Sequence, residues 1–241
     1  MSKITLFCFP FAGGSSYSYQ AFAPYKPDFV DLVPLELPGR GRRIRESLLR
    51  NIDAMVDDLY RQVVGKLTGQ YAFYGHSMGT LLSFRLTQRL IEKGYIPPVH
   101  LFMTGRGGPS IERESEVKRS QLPRPAFIEK VRELDGSPDE VLNDDDLMNL
   151  FVPVLRADFE AIENYVHQSS YPFSIPIDVI VGSEEKITDE EAWAWERETD
   201  APVMVHQLPG KHFFILKQSS EIMRLIGRKM YQQTESYAYA C

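Results

Sequence analysis

The sequence lacks the features that would mark a secreted, membrane-spanning or metal-binding protein. Two cysteines among 241 residues give no disulfide framework, and no Cys/His spacing predicts a metal site. No apolar run is long enough to cross a bilayer. A secretory signal is not expected, because the short apolar stretch after Lys3 soon meets Pro10 and Gly13. We therefore expect a cytoplasmic protein that holds neither a metal nor a cofactor.

The chain also lacks an excess of positive charge. The chain has 27 Lys and Arg against 33 Asp and Glu, a net charge of −6, which argues against nonspecific binding to nucleic acid. Against this background Arg40, Arg42, Arg43 and Arg45 form a basic cluster in residues 37–45. A phosphate or an acidic protein surface would suit this cluster. An ordinary solvated loop is the alternative.

Strand-like stretches alternate with helical patterns, which favours one α/β domain with a mainly parallel sheet. At 43% hydrophobic residues the chain can bury a substantial core. Strands are predicted at residues 4–9, 31–36, 71–74, 99–104, 177–181 and 203–208. Helices are predicted at residues 17–23, 52–67, 80–93, 193–198 and 220–231.

The strongest local signal is Gly75-His-Ser77-Met-Gly79, which ends an apolar stretch and leads directly into an amphipathic segment. Strand, sharp turn and helix form the setting in which Gly-x-Ser-x-Gly makes a nucleophile elbow. Such a turn strains the serine backbone, and the glycines let neighbouring chain segments pack closely. Ser77 is therefore predicted to be a nucleophile at a helix N-terminus, where developing negative charge is favoured.

A serine nucleophile needs a base, and the base needs a group that orients it. In hydrolases with this elbow the chain order is serine, acid, histidine. His212 follows the last predicted strand and is the predicted base. His76 adjoins the serine, but the elbow should point it away. His100, His167 and His206 lie beside a strand, at a helix end and within a strand, and are poorer candidates.

The acid should follow the penultimate predicted strand. Glu185 comes three residues after the glycine that ends this strand and could turn in beneath His212. A glutamate can serve, since its intrinsic pKa is close to that of aspartate. Asp189 and Glu184 remain alternatives, whereas Asp178 lies inside the strand and is a poor candidate.

Backbone N–H groups must also face the carbonyl oxygen that becomes an anion during acyl transfer. Met78, directly after the nucleophile, should supply one of them. The other should come from the loop after the first strand, Pro10-Phe-Ala-Gly-Gly-Ser15, whose two glycines let the backbone approach a ligand. Phe11 and Ala12 are both candidates, and Phe11 is slightly favoured because it starts the turn.

The alternating pattern breaks between residues 110 and 171, where no clear strand appears. Short helices are predicted at residues 125–133, 139–142, 144–151 and 154–165. We predict a core of residues 1–109 and 172–241 with a helical lid insertion at 110–171, which would contribute the substrate-binding residues. Most of its apolar side chains should pack against the core and some should line an acyl tunnel; they include Phe127, Leu134, Leu142, Leu147, Met148, Leu150, Phe151, Leu155, Phe159 and Tyr165.

Six motifs spread over nearly the whole chain carry a family resemblance. They are Phe9-Pro-Phe-Ala-Gly-Gly14, Leu35-Glu-Leu-Pro-Gly-Arg-Gly41, Gly75-His-Ser-Met-Gly79, Leu134-Asp-Gly-Ser-Pro-Asp-Glu-Val-Leu142, Phe151-Val-Pro-Val-Leu-Arg-Ala-Asp-Phe-Glu-Ala-Ile-Glu-Asn-Tyr165 and Gly210-Lys-His-Phe-Phe214. Together they resemble the discrete type II thioesterases of nonribosomal-peptide and polyketide assembly lines, which belong to the α/β-hydrolase superfamily. The chain departs at the acid, with Gly182-Ser-Glu-Glu185 where the family usually has Gly-x-x-Asp.

The resemblance implies an editing enzyme. It would hydrolyse acyl or aminoacyl thioesters from the phosphopantetheine of acyl or peptidyl carrier proteins through an acyl-serine intermediate. The expected partners are a carrier protein, which the basic cluster could meet, and the acyl thioester. Binding to nucleic acid or membranes is not expected. The protein is expected to be a monomer. The alternatives are a release thioesterase for one intermediate, a general carboxylesterase, and an inactive carrier-binding module created by the glutamate.

Overall fold

Six parallel strands form one sheet in the part of the chain that the computed structural model describes, namely residues 3–111, 117–137 and 139–238, with side chains to residue 233. The strands are β1 (Ile4–Phe9), β2 (Val30–Pro34), β3 (Tyr71–His76), β4 (Leu101–Thr104), β5 (Ile177–Gly182) and β6 (Val203–Leu208). Their order is β2-β1-β3-β4-β5-β6, and every neighbouring pair is parallel. The predicted mainly parallel α/β sheet is confirmed.

Helices connect these strands. The α-helices are α1 (Ile52–Val63), α2 (Met78–Glu92), α3 (Arg124–Arg132), α4 (Asp139–Leu142), α5 (Asp145–Glu163), α6 (Asp189–Trp193), α7 (Phe214–Lys217) and α8 (Ser219–Ala238). Short 3₁₀ helices span Ser16–Tyr25, Gly41–Arg43, Val64–Lys66, Arg119–Gln121 and Ala194–Glu198. The helix predicted at 17–23 is thus a 3₁₀ helix, and the last helix continues beyond residue 231. No helix in the described ranges is both long and apolar enough to span a membrane.

The sheet is covered on both faces, which is why its central strands are apolar throughout. Alternate residues of β1 and β3 point to opposite faces. Phe7 and Phe73 join a core cluster with α1 and α2 on one face, whereas Leu6 and Ala72 join a second cluster with α8 and the first 3₁₀ helix on the other. Because all six strands are parallel, their carboxyl ends lie at one edge of the sheet, where ligands bind in such sheets.

The segment between β4 and β5 differs from its prediction in two ways. The helices predicted at 144–151 and 154–165 are one continuous helix, α5, with Pro153 inside it. Proline costs a helix one backbone hydrogen bond, and the buried residues on both sides of Pro153, Val152 and Val154, keep the two halves packed as one.

Most of the apolar residues named for this segment form a small core of their own, which corrects the expectation that most would pack against the main core; Tyr165 does pack against the main core. The members of this third cluster are Phe127, Val131, Leu142, Met148, Val152 and Phe159, with Leu134 and Leu155 packed against it. Leu147, Leu150 and Phe151 are exposed. Residues 112–116 and 138 of the predicted insertion lie outside the described residues.

Candidate active site

Ser77 lies between the last residue of β3 and the first residue of α2. Its backbone has φ 53° and ψ −112°, a left-handed conformation that costs free energy in a non-glycine residue. The neighbouring segments hold it there: its N–H donates to the Thr104 carbonyl at 2.8 Å, and the Thr80 hydroxyl donates to its carbonyl at 2.7 Å. The serine side chain is therefore presented on a strained but well-supported turn.

The glycines around Ser77 allow a close contact between strand and helix. A Cβ on Gly75 would lie 2.3 Å from the Gly79 carbonyl oxygen, and one on Gly79 would lie 2.8 Å from the Phe9 carbonyl oxygen. Neither distance is tolerable, since backbone atoms cannot swing aside as a side chain can. Both glycines of Gly-x-Ser-x-Gly are thus required by packing at this turn.

The structure brings Ser77, His212 and Glu185 into one chain of hydrogen bonds. His212 Nε2 lies 3.0 Å from Ser77 Oγ, and His212 Nδ1 lies 2.6 Å from Glu185 Oε1. A carboxylate can only accept, so Nδ1 carries the proton of the neutral ring and Nε2 presents its lone pair to the serine hydroxyl. Glu185 is nearly buried, with 4% of its side chain exposed, whereas His212 keeps 19%. This arrangement can move a proton off a nucleophilic serine.

The longer reach of glutamate is absorbed by its own turn. The Glu185 N–H donates to the Gly182 carbonyl at 3.1 Å, and its Oε2 accepts the Gly182 N–H at 2.7 Å, so the side chain folds back onto the turn that carries it. The alternatives lie elsewhere: Glu184 is exposed, and Asp189 is exposed in the first turn of α6. Neither has a hydrogen bond to His212 in the described residues.

The oxyanion candidates lie on two adjoining backbone segments. Among the described residues, the N–H groups of Phe11, Ala12 and Met78 have no hydrogen-bond acceptor, so none of the three is committed within the fold. The Gly14 N–H donates to the Phe11 carbonyl at 2.8 Å and closes a turn. Both Phe11 and Ala12 remain candidates for the second donor.

His76 is a part of the site that sequence reasoning missed. Its position before the serine suggested that it points away, yet its ring centroid lies 4.8 Å from that of His212. The Thr104 hydroxyl donates its single proton to the Gly75 carbonyl at 3.0 Å. It can therefore only accept from His76 Nδ1, which lies 3.0 Å away. Burial, then the nearby His212, hold the pKa of His76 well below its usual range, so the ring is neutral beside His212.

The four arginines do not form one exposed surface, so they cannot meet a partner as one basic cluster. Arg40 is buried and pairs with Asp158 on α5, and the Arg43 guanidinium pairs with Asp58 and Glu46. The buried partners were invisible in the sequence because Arg40 and Asp158 are 118 residues apart. Only Arg42 and Arg45 extend into solvent.

A surface groove lies outside this site, near the far end of α2. It has a volume of about 600 Å³ and is lined by residues 88, 91–92 and 169–173. With a rise of about 1.5 Å per helical residue, this end is roughly 15 Å or more from Ser77. Among the described residues, no group of three or more His, Cys, Asp or Glu could hold a metal ion.

Comparisons with known proteins agree with this geometry. A model of the thioesterase domain matches residues 4–230, and the chain therefore belongs to the thioesterase family, whose members hydrolyse thioesters. It is 32% identical over 230 residues to the gramicidin S biosynthesis protein GrsT of Aneurinibacillus migulanus, covering 95% of this chain and 90% of that protein.

Solved structures give the same result. ClbQ from the colibactin NRPS/PKS pathway superposes with a TM-score of 0.91 at 32% identity, covering 96% of this chain and 98% of that one. RedJ, a thioesterase from the prodiginine pathway of Streptomyces coelicolor, gives 0.87 at 30% identity, covering 94% and 85%. The predicted α/β-hydrolase fold and the resemblance to type II thioesterases are confirmed.

Proposed function

We propose that this protein is an editing type II thioesterase. It hydrolyses acyl or aminoacyl thioesters from the phosphopantetheine of acyl or peptidyl carrier proteins, through an acyl-Ser77 intermediate. The observation that carries the proposal is the hydrogen-bonded chain Ser77–His212–Glu185 in a member of the thioesterase family. The similarity to GrsT, a gramicidin S biosynthesis protein, and to ClbQ, from the colibactin NRPS/PKS pathway, supports the carrier-bound substrate.

Acylation begins when Ser77 Oγ attacks the thioester carbonyl and His212 Nε2 takes its proton. The N–H of Met78 and that of Phe11 or Ala12 stabilise the oxyanion of the tetrahedral intermediate. The carbon–sulfur bond then breaks, the phosphopantetheine sulfur leaves with the proton from His212, and the acyl group remains as an ester on Ser77. Glu185 stays ionised throughout and stabilises the imidazolium that forms.

Deacylation repeats these steps with water as the nucleophile. His212 removes a proton from the water, the same N–H groups hold the second oxyanion, and Ser77 leaves with the proton as the free acid forms. The scheme needs neither metal nor cofactor. We expect the protein to act as a cytoplasmic monomer on carrier-bound acyl groups, and not on nucleic acid or membranes.

The test is mass spectrometry of a carrier protein loaded with acetyl, a longer acyl or an aminoacyl group. Incubation with wild type should remove each acyl mass, and incubation with the Ser77→Ala variant should not. Removal of a single acyl group far faster than the others would indicate a dedicated release enzyme. Turnover of a nitrophenyl ester without any loss from the carriers would indicate a general carboxylesterase, and carrier binding without turnover would indicate an inactive binding module.

A further inference from the structure

Asp158 connects helix α5 to the loop that follows β1. Its Oδ2 accepts the Gly13 N–H at 2.8 Å, and the Arg40 guanidinium donates to Oδ2 at 2.6 Å and to Oδ1 at 2.8 Å. Both charged side chains are inside the protein, with 4% of Arg40 and none of Asp158 exposed. One carboxylate therefore joins three segments that are far apart in the sequence.

The loop held in this way carries the oxyanion candidates. The hydrogen bond from Gly14 to Phe11 closes a four-residue turn, and Gly13 has φ +76°, as the third residue of a type II turn requires. Type I and type II turns differ chiefly in the orientation of their central peptide, and here that peptide carries the Gly13 N–H. By accepting this N–H, Asp158 holds the central peptide in one orientation and restrains the turn that carries the N–H groups of Phe11 and Ala12.

Packing adds to this constraint. Leu155 lies about one helical turn before Asp158 on α5, and a Cβ placed on Gly13 would lie 2.6 Å from its Cδ2. The helix therefore rests directly on the turn, and the positive φ of Gly13 disfavours any other residue there. Two residues of α5 therefore restrain Gly13: Asp158 by a hydrogen bond and Leu155 by packing.

Arg40 removes an electrostatic conflict. A lone carboxylate this close to the oxyanion donors would oppose the negative charge that develops there, and it would do so strongly in a water-excluded interior. The two-pronged contact with Arg40 neutralises the carboxylate and keeps its oxygens in place. Asp158 can thus hold Gly13 without repelling the reacting anion.

We propose that Asp158 and Arg40 are positioning residues for the oxyanion turn, and that the C-terminal half of α5 is a fixed wall of the active site instead of a moving lid. The proposal rests on the proposed function, because it takes the N–H groups of this turn as oxyanion donors. It extends that function by making part of the insertion a component of the catalytic core.

The test replaces the buried pair with apolar residues of similar size, Arg40→Met with Asp158→Leu, an exchange that proteins often tolerate without loss of stability. The variant should fold, and kcat on a small acyl thioester should fall about a hundredfold with little change in KM, since a displaced donor acts only on the transition state. The matched control is Arg50→Gln with Glu160→Gln, which removes an exposed ion pair that ties the same helix to the segment before α1. This control should keep the wild-type rate.

A trifluoromethyl ketone thioether reports on the oxyanion contacts directly, because addition of Ser77 to its carbonyl produces a tetrahedral oxyanion. Its inhibition constant should rise by the same factor as kcat/KM falls. A folded double variant with wild-type kcat and wild-type inhibition would overturn the proposal. If the double variant does not fold, Asp158→Asn decides by the same comparison, since Gly13 and Arg40 then compete for one oxygen. If the wild-type enzyme hydrolyses the small thioester but no carrier-bound acyl group, the proposed function is rejected. The proposal for Asp158 and Arg40 is not affected by that result.

Discussion

The sheet carries a histidine–carboxylate cluster at each end, and only one of them is built for chemistry. At the carboxyl ends of the strands Glu185 bonds His212, which faces Ser77. At the amino end of β5 the buried Asp178 bonds His100 Nε2 at 2.6 Å and also His206 Nε2. A histidine hydrogen-bonded to a buried carboxylate is therefore not a sufficient sign of a catalytic site.

The two clusters differ in what lies on the other side of the histidine. His212 is partly exposed, and its second nitrogen meets a serine hydroxyl on a strained turn. His100 is almost fully buried against Phe102, and its second nitrogen reaches no hydrogen-bond partner in the described residues. Lys229, at 3.4 Å, completes the charge balance around Asp178. His206 is partly exposed, but in the described residues neither histidine of the second cluster bonds a serine or threonine hydroxyl, so this cluster can hold strands together without presenting a nucleophile.

The largest expected effect is that of Ser77→Ala, which removes the one group that the amino-end cluster lacks. We expect kcat/KM on an acyl thioester to fall by at least about a thousandfold, since only the oxyanion hole and substrate binding remain. The measurement is thiol release followed with a disulfide reagent, alongside thermal unfolding. Turnover near the wild-type rate in a folded variant would reject Ser77 as the nucleophile.

A matched pair of substitutions, His212→Asn and His100→Asn, tests the comparison itself. The first should cost roughly a thousandfold or more in kcat with little change in the melting temperature. The second should leave kcat/KM within a few-fold of wild type but lower the free energy of unfolding by about 1–3 kcal/mol, because Asp178 loses a buried partner. Kinetics, thermal unfolding and urea unfolding are measured on each purified variant and on wild type. An activity loss larger for His100 than for His212 would contradict the division into a catalytic and a structural cluster.

Glu185→Gln sharpens the role of the catalytic-end carboxylate. The amide keeps the shape but can offer an N–H to His212 Nδ1, which stabilises the wrong tautomer and should lower kcat by less than the loss expected for Ser77→Ala. Glu185→Asp should cost less, because it keeps the charge and loses only reach. Single-turnover formation of the acyl-serine measures both. Wild-type kcat in Glu185→Gln would show that this carboxylate does not orient His212.

The sequence was most informative where local geometry determines position. Ser77 and His212 could be found because an elbow and a loop after the last strand have local patterns. The strands could be found because strand-like stretches alternate with helical patterns along the chain. The pairing of Arg40 with Asp158 could not, because it depends on how two distant segments pack. The same holds for the unbroken helix through Pro153, where tertiary packing outweighs the local preference of proline. The contact of His76 with His212 also arises only from the folded arrangement.

The smallest expected effect on activity is that of Asp178→Asn, where the consequence is a pH dependence of stability. Burial by itself raises the pKa of Asp178, but the hydrogen bonds from His100 and His206 and the charge of Lys229 outweigh it and leave this pKa well below its usual range. A depressed folded-state pKa means that the ionised carboxylate stabilises the fold above the unfolded pKa of about 3.9, and that this contribution is lost as the pH falls towards the folded value.

The difference in unfolding free energy between wild type and Asp178→Asn should therefore be largest near neutral pH and shrink below about pH 4, while kcat/KM near neutral pH stays within a few-fold of wild type. Urea unfolding across this range, with Arg50→Gln as an exposed control, measures it. A difference that does not change with pH would show that Asp178 contributes by packing and not by charge, and a large loss of activity would show that the two ends of the sheet are coupled.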